Sequence, residues 1–529
     1  MKKRTVFLIV AFLFVVATVL AGCGKSGPAE SSNSDAEKQG GAENKKIHIL
    51  LSHAEAAYAK QAKEDDPYIK ELSKLSGYDL HFEFLGHADY TQQLSLRFAS
   101  GELGDLIRTD SINSTIHTGA VEQGVFLELN SLIDQYGPNL KKKIPQTVWN
   151  SPRVSKDGKI YGIPVLTGVP ADRIVFIRQD WLDQLKMDTP KTLDDYLKFF
   201  EAVKQQDMNG NGDPGDEYGL GMFNNLAWTD IFSAAFGVNP ALFNLRDGQL
   251  VPDMIDPRMK DAVAFYKMLY DKGYVNPDLF TKKEDEHNAS IAKGEIGVWG
   301  GAVYQYLAGY GAENAKKTFI NQPEASVSMI EAPKGPDGKG GLGADKDGIY
   351  FVWVIPSKTK HPEEIIKFLD WAWSSPEADK FFAYGIKGHN YTEENGTIKY
   401  DMNAPVNSEK NAFQMYQLSL NVREIGFASP LVLKMMPESD KIIKGYETAK
   451  ANLIKHDGLH MPRLESLNGK PELAVGFVNG NLFTDMFAKV VTGKEPLDTA
   501  FNKFVEEWKK RGGDAVIKEA TNWYNEFHK

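Results

Sequence analysis

The sequence predicts an α/β protein built of packed lobes, and three observations lead there. From Ile47 onward, short apolar segments alternate with amphipathic helical ones without a fixed repeat, the pattern of helices layered on sheets. The chain has 529 residues, and the 507 that follow Gly22 suffice for two or more lobes. Its single cysteine, Cys23, leaves every later residue without a disulfide staple, so core burial alone must hold the fold, as it can in a large domain.

The N-terminus bears on location. Lys2, Lys3 and Arg4 form a positive segment, Val6 to Leu20 is an apolar run, and Leu20-Ala21-Gly22-Cys23 follows. The run falls short of the roughly 20 residues of a stable span and suits a cleaved export signal. Small residues before a cysteine resemble the lipobox of bacterial lipoproteins, in which the thiol receives diacylglycerol. Residues 1–22 are therefore expected to be a signal peptide and Cys23 a lipid-bearing residue. An uncleaved anchor helix is the competing reading, and either leaves the rest outside the cell. Residues 23–45 contain almost no large apolar side chain and read as a flexible tether.

The charge is −10 over the whole chain and −13 without Lys2, Lys3 and Arg4. With no basic stripe interleaved with aromatics, nucleic acid is not an expected partner.

Folded structure is expected to begin with a strand at Ile47–Leu51. Helices are expected at Tyr90–Ser100, at Leu193–Gln206 with Thr192 as N-cap, at Pro257–Lys272 and at His361–Trp373. Strands are expected at Leu106–Arg108, Ile174–Ile177, Ile296–Trp299 and Tyr350–Ile355, with a mostly helical tail from about Asn411. Gly338, Gly340 and Gly343 satisfy G-x-G-x-x-G, but the segment lacks the preceding strand and following helix of a dinucleotide site and reads as a mobile turn.

The most specific chemistry lies in residues 207–217. Asp207, Asn209 and Asn211 occupy positions 1, 3 and 5 of a calcium loop, and Gly212 is the glycine at 6. Asp213 would add its backbone carbonyl. Tyr218 stands where an EF-hand has its bidentate glutamate, so Asp216 and Glu217 must close the shell. This predicts a structural Ca2+ with ligands Asp207, Asn209, Asn211, Asp213, Asp216 and Glu217; a metal-free Asn-Gly turn is the alternative.

Several segments then point to a family. Asp157-Gly-Lys-Ile-Tyr161-Gly-Ile-Pro164, Ile177-Arg-Gln-Asp-Trp181-Leu-Asp183, Pro190-Lys-Thr-Leu-Asp194 and the acidic loop follow one another in order. Ser100-Gly-Glu-Leu-Gly104-Asp105 precedes them, with Gly104 at a position where proline is usual, and Gly385-Ile-Lys-Gly388-His-Asn-Tyr391 comes after. Together they resemble extracellular solute-binding proteins of ABC importers, notably the alginate-oligosaccharide binders and large Gram-positive lipoproteins.

The resemblance implies a periplasmic-binding-protein-like fold of type II, with two α/β lobes joined by crossing segments around a cleft. The lobes are expected at 46–172 with about 345–405, and at 173–344 with about 406–529. It implies a monomer that captures an extracellular carbohydrate, an oligosaccharide by preference, and delivers it to the transporter's membrane subunits without catalysis. A peptide or signal-molecule receptor of the same fold and an anchored polysaccharide hydrolase or lyase are the alternatives.

Sugar capture needs flat apolar faces and hydroxyl partners. Trp299, ending a strand before Gly300-Gly301, is the first candidate for ligand contact, followed by Tyr304 and Trp228. Arg108, Asp110 and His53 lie at strand ends, where open α/β sheets present ligand groups. Core packing competes for each aromatic; core or lobe packing is the preferred role for Trp353, Trp371 and Trp373, and Trp181 reads as a packing residue on the hinge side.

Overall fold

The computed structural model describes residues 45–528, apart from 54–64, 168–171, 225, 227, 307–324, 345–347, 402–403, 408–415, 421–429, 436–437 and 463. Cys23, the signal segment and the tether expected from the sequence lie outside the described residues.

The first sheet has five strands: β1 (Lys46–His53), β2 (Asp79–Gly86), β3 (Leu106–Thr109), β4 (Gly162–Leu166) and, from far along the chain, β9 (Ile349–Val354). Their order is β2-β1-β3-β9-β4. β1 runs parallel to β2 and β3, while β9 is antiparallel to both β3 and β4. The second sheet contains β5 (Arg173–Arg178), β6 (Tyr218–Leu220), β7 (Ile296–Ala302) and β8 (Val327–Ile330), in the order β8-β5-β7-β6.

Each sheet carries its own core, which makes two α/β lobes. Ile49, Leu51, Ile107, Ile163, Val352 and Trp353 belong to the first core. In the second sheet the two-residue period of β5 decides which core each side chain joins. Val175 and Ile177 enter a core with Trp181, Phe199 and Phe232. Ile174 and Phe176 enter another with Trp299, Val303 and Leu433. The chain passes from the first sheet to the second between Leu166 and Arg173 and returns between Ile330 and Ile349. Residues 416–420, which the sequence reading puts in the second lobe, pack on the first: Leu418 joins that core and its carbonyl accepts Trp373 Nε1 at 2.8 Å.

The Leu193–Lys204 helix shows how local sequence places the acidic loop. Thr192 Oγ1 accepts the Asp195 N–H at 3.2 Å, and Asp195 Oδ2 accepts the Thr192 N–H at 3.0 Å, a closed capping box. Tyr196, Phe199, Phe200 and Val203 recur at helical spacing and are fully buried. Gly219 in β6 admits this helix, since a Cβ there would lie 2.4 Å from the Phe200 ring. The loop 207–217 is thus strung between a packed helix and a sheet strand.

The other expected elements form with small shifts at their ends: Tyr90–Ser100, Met259–Asp271 and Pro362–Ala372 are helical. After residue 430 the described helices are Pro430–Leu433, Ser439–Ala451, Leu482–Val491, Leu497–Trp508 and Asp514–Phe527, with irregular chain between Asn452 and Asn481. The glycine-rich segment is a turn closed by the Lys334–Gly340 bridge and the Gly335 N–H to Lys339 carbonyl bond at 2.7 Å. Trp181, Trp353 and Trp373 are buried, and Trp371 is half-buried against the first core. Among the described residues no helix is long and apolar enough to cross a membrane.

Candidate functional site

The sequence-predicted ligand residues fall into two groups, one on each sheet. On the first, His53 is the last residue of β1, Arg108 lies in β3, and Asp110 follows the end of β3. β1 and β3 are hydrogen-bonded neighbours, so the topology gathers all three at one sheet end. His53 is fully buried edge-on to Phe84, with ring centres 5.3 Å apart. Arg108 donates to the Ser52 hydroxyl, and its guanidinium lies 4.6 Å from the Phe351 ring centre and 5.6 Å from that of Tyr90. Asp110 is exposed, and its carbonyl accepts Arg153 Nη2 at 2.7 Å.

On the second sheet Trp228 and Trp299 line one recess, together with Phe223, Glu284, His287, Asn288, Gly300 and Gln305. Its free interior is small, ≈ 20 Å³, about the room of one water, and it opens to solvent. Trp299 pairs in register with Phe176, and the two rings stack 5.6 Å apart. It is only 4 % exposed, so most of its surface serves the core and an edge serves the recess. Tyr304 is half-buried beside the same core, next to the recess residue Gln305.

Trp228 is held in a costly conformation. Its φ is 63°, that of Leu226 is 53°, and neither side chain is one that settles readily in the left-handed region. Arg173 holds it there: the guanidinium sits 4.7 Å from the ring centre and is ion-paired to Asp230. Asp230 also accepts Asn239 Nδ2 at 3.0 Å. The two glycines after Trp299 have a different use from the one their sequence suggests. A Cβ at Gly300 would lie 2.5 Å from the Trp228 carbonyl oxygen, and one at Gly301 would lie 2.4 Å from Gln305 Oε1. The close approach they permit is by the protein's own chain.

His287 is the residue that sequence reasoning missed. It is 4 % exposed, stacks on Phe223 with ring centres 4.9 Å apart, and its Nδ1 has no hydrogen-bond partner. Burial, aided by the charge of Lys282, lowers its pKa to about 4, so the ring is neutral near pH 7. A signal was present: Glu284, His287, Asn288 and Ile291 share one face of the Glu284–Lys293 helix. The mixture of polar and apolar residues on that face hid it from any search for an apolar stripe.

The acidic loop is ordered around its own side chains. Asp207 Oδ1 accepts the Gly210 N–H at 2.7 Å, and Oδ2 accepts that of Gly212 at 2.8 Å. Asn209 Nδ2 and Asn211 Nδ2 donate to opposite oxygens of Asp216, at 3.2 and 2.7 Å. Asp213 Oδ1 caps the Gly215 N–H at 3.0 Å. Glu217 is 4 % exposed, and its Oε2 is buried without a partner. Burial, with Asp216 and Asp207 close by, pushes its carboxyl up to about 7. Among the described residues no three His, Cys, Asp or Glu side chains converge as a metal cage; the inner loop positions are the oxygen-bearing amides Asn209 and Asn211.

The bacterial extracellular solute-binding protein family matches residues 55–379 of this chain. The lipoprotein LipO of Bacillus subtilis (strain 168) is 27 % identical over 522 residues, covering 96 % of this chain and 97 % of its own. The polygalacturonan/rhamnogalacturonan-binding protein YtcQ of the same organism is 26 % identical, covering 97 % of each chain. Among solved structures, an EF-hand mutant of the Streptococcus pneumoniae ABC-transporter substrate-binding protein FusA, in complex with fructo-nystose, superposes with a TM-score of 0.62. It is 20 % identical, and the match covers 92 % of this chain and 99 % of that one.

Proposed function

The chain belongs to the bacterial extracellular solute-binding protein family, and on that premise we propose that it captures an oligosaccharide outside the cell for an ABC importer. One observation carries the choice of ligand. The fold brings Trp228 and Trp299, far apart in sequence, into one recess with Glu284, Asn288 and Gln305. Flat indole faces suit the C–H surfaces of sugar rings, and the carboxylate and amides suit their hydroxyls. The names of relatives that bind polygalacturonan or fructo-nystose support the same reading.

In this reading the lobes are residues 46–172 with about 345–420, and 173–344 with the rest. A ligand that touches both stabilises the closed arrangement by its differential affinity for it. Arg108 and Asp110 serve from the first lobe, Trp228, Trp299 and Tyr304 from the second; His53, expected from the sequence to join them, is fully buried against Phe84 and has no surface to offer a ligand. No step of chemistry on the ligand is involved. Cys23 carries the lipid that keeps the protein at the outer face of a membrane, near its permease; the kinship with a lipoprotein supports this.

The acidic loop binds a structural Ca2+ through Asp207, Asn209, Asn211, Asp213, Asp216 and Glu217. The buried, unpartnered Glu217 Oε2 and two neighbouring carboxylates fit a hard cation. Rotation of the Asn209 and Asn211 amides would turn their oxygens inward. The ion would balance the loop's charge and hold it between helix and strand.

Calorimetry with fructo-nystose and with oligogalacturonides tests the function. Saturable binding of one of them, with the sugar recovered uncleaved, is the expected result. Cleavage of the sugar, or binding of peptides with no response to either sugar, overturns it.

A further inference from the structure

Resting on that carbohydrate reading, we propose that Arg108 binds a carboxylate of the captured oligosaccharide, which makes the ligand a uronate-bearing sugar. Its lack of a counter-charge sets this residue apart. Arg97, Arg173, Arg178, Arg246, Arg258 and Arg511 each pair with a carboxylate. Arg153 is taken up by the carbonyls of Asp110 and Ile349. Arg108, half-buried, is the one arginine among the described residues with neither an anion nor a set of carbonyls. Its one hydrogen bond runs from Nη1 to the Ser52 hydroxyl, while Nε and Nη2 donate to no protein atom and are not sealed from solvent.

The group is also held in place, at the end of β3 beside β1, where an open α/β sheet receives ligands. The guanidinium lies 4.6 Å from the Phe351 ring centre, 5.6 Å from that of Tyr90 and 5.7 Å from that of Tyr350. The Tyr90 hydroxyl donates to the Arg108 carbonyl at 2.7 Å. Gln417, only 1 % exposed, donates Nε2 to the Ser52 carbonyl at 2.9 Å and so braces the residue that receives Nη1. A cation partly withdrawn from water is costly until an anion meets it. Nε–H and Nη2–H point the same way in one plane, the fork that matches the two oxygens of a carboxylate. One guanidinium offers one charge, and the nearby Asp110 subtracts from it, so a singly charged carboxylate fits better than a doubly charged phosphate.

The test is calorimetry with trigalacturonate and with its methyl ester, the same skeleton without the charge. Wild type should bind the acid about ten- to a hundredfold more tightly, the order expected of hydrogen bonds to a charged group. Arg108→Met keeps an apolar stem among the rings and should erase this preference; Arg108→Lys should retain part of it. Asp110→Asn, at an exposed position, should leave the thermal midpoint alone and widen the preference. A packing role for Arg108 would weaken acid and ester alike and leave their ratio unmoved.

Equal wild-type affinity for acid and ester, or a ratio unchanged in Arg108→Met, overturns the carboxylate contact. Should Arg108→Met fail to fold, a ratio that Asp110→Asn leaves unmoved overturns it instead. Binding of fructo-nystose without binding of trigalacturonate overturns the contact and leaves the carbohydrate reading intact. A wild type that binds none of the three sugars overturns the carbohydrate reading, and the contact falls with it.

Discussion

The carboxylate of Glu217 accepts the backbone N–H of Asn209 at 2.9 Å, so the end of the acidic loop is tied to its beginning. The other oxygen of the same carboxylate is buried without a partner. A cation bound there stabilises the native state by mass action, by about 2.7 kcal/mol when present at a hundred times its dissociation constant. Chelation by EGTA should lower the thermal midpoint and CaCl2 should restore it. Asp207→Ala should abolish the response to calcium. Identical melting curves in EGTA and CaCl2 would remove the metal from this loop.

Arg173 links three features: the strained Trp228, the half-buried Asp230, and Gly343 on the returning segment, whose Cβ would lie 3.0 Å from Arg173 Cδ. Arg173→Ala should cost about 2 kcal/mol, the order of a lost hydrogen bond to a charged group. It should also weaken sugar binding, because the guanidinium packs over the Trp228 ring. Arg173→Lys should recover part of the stability but less of the binding, since an ammonium lacks the planar face. Urea titration and calorimetry on the same samples separate the two effects.

Gly300 is a second control over the same indole. A methyl group at this position would meet the Trp228 carbonyl oxygen at 2.5 Å, closer than real Cβ contacts come. Gly300→Ala should push the Trp228 segment away, shift the intrinsic tryptophan emission and cost about 1–3 kcal/mol. An unchanged spectrum with unchanged stability would mean that the segment yields freely.

Asp256 predicts an acid-limb effect. Burial pushes its pKa up, but hydrogen bonds from Arg258 and Arg246 outweigh this and hold it at about 2. A folded pKa below the unfolded value of about 3.9 contributes stability above pH 4, and that contribution is lost as pH falls toward 2. The neighbouring Asp253 is shifted upward by burial, so wild-type stability alone would mix opposite trends. Asp256→Asn isolates the group. Its deficit against wild type, measured by urea unfolding, should be largest near pH 6 and shrink between pH 4 and pH 2. A deficit constant over that range would contradict the arginine pairing.

Much of the architecture was legible in local sequence, because local physics decides it. Thr192 and Asp195 stand three apart as a capping box requires, and Tyr196, Phe199, Phe200 and Val203 repeat at helical spacing. The order Asp207, Asn209, Asn211, Gly212 carries the geometry of its loop within six residues. Burial of Trp353 and Trp373 followed from their apolar neighbours, whereas Trp181, expected on the hinge side, lies in the second lobe's core with Phe199. The candidate site depended on contacts between distant segments, which no local period encodes. Only the fold sets β9, from residue 349, between β3 and β4, stacks Trp299 on Phe176, and lays Arg173 over Trp228. Tertiary packing also turned two glycines toward the protein's own backbone and side chains rather than toward a ligand. The same packing sealed His287 against Phe223 with a nitrogen unpartnered. Periodicity reports which face of an element is buried; what that face meets is set by chain-distant partners whose desolvation and shape complementarity arise only when the lobes assemble.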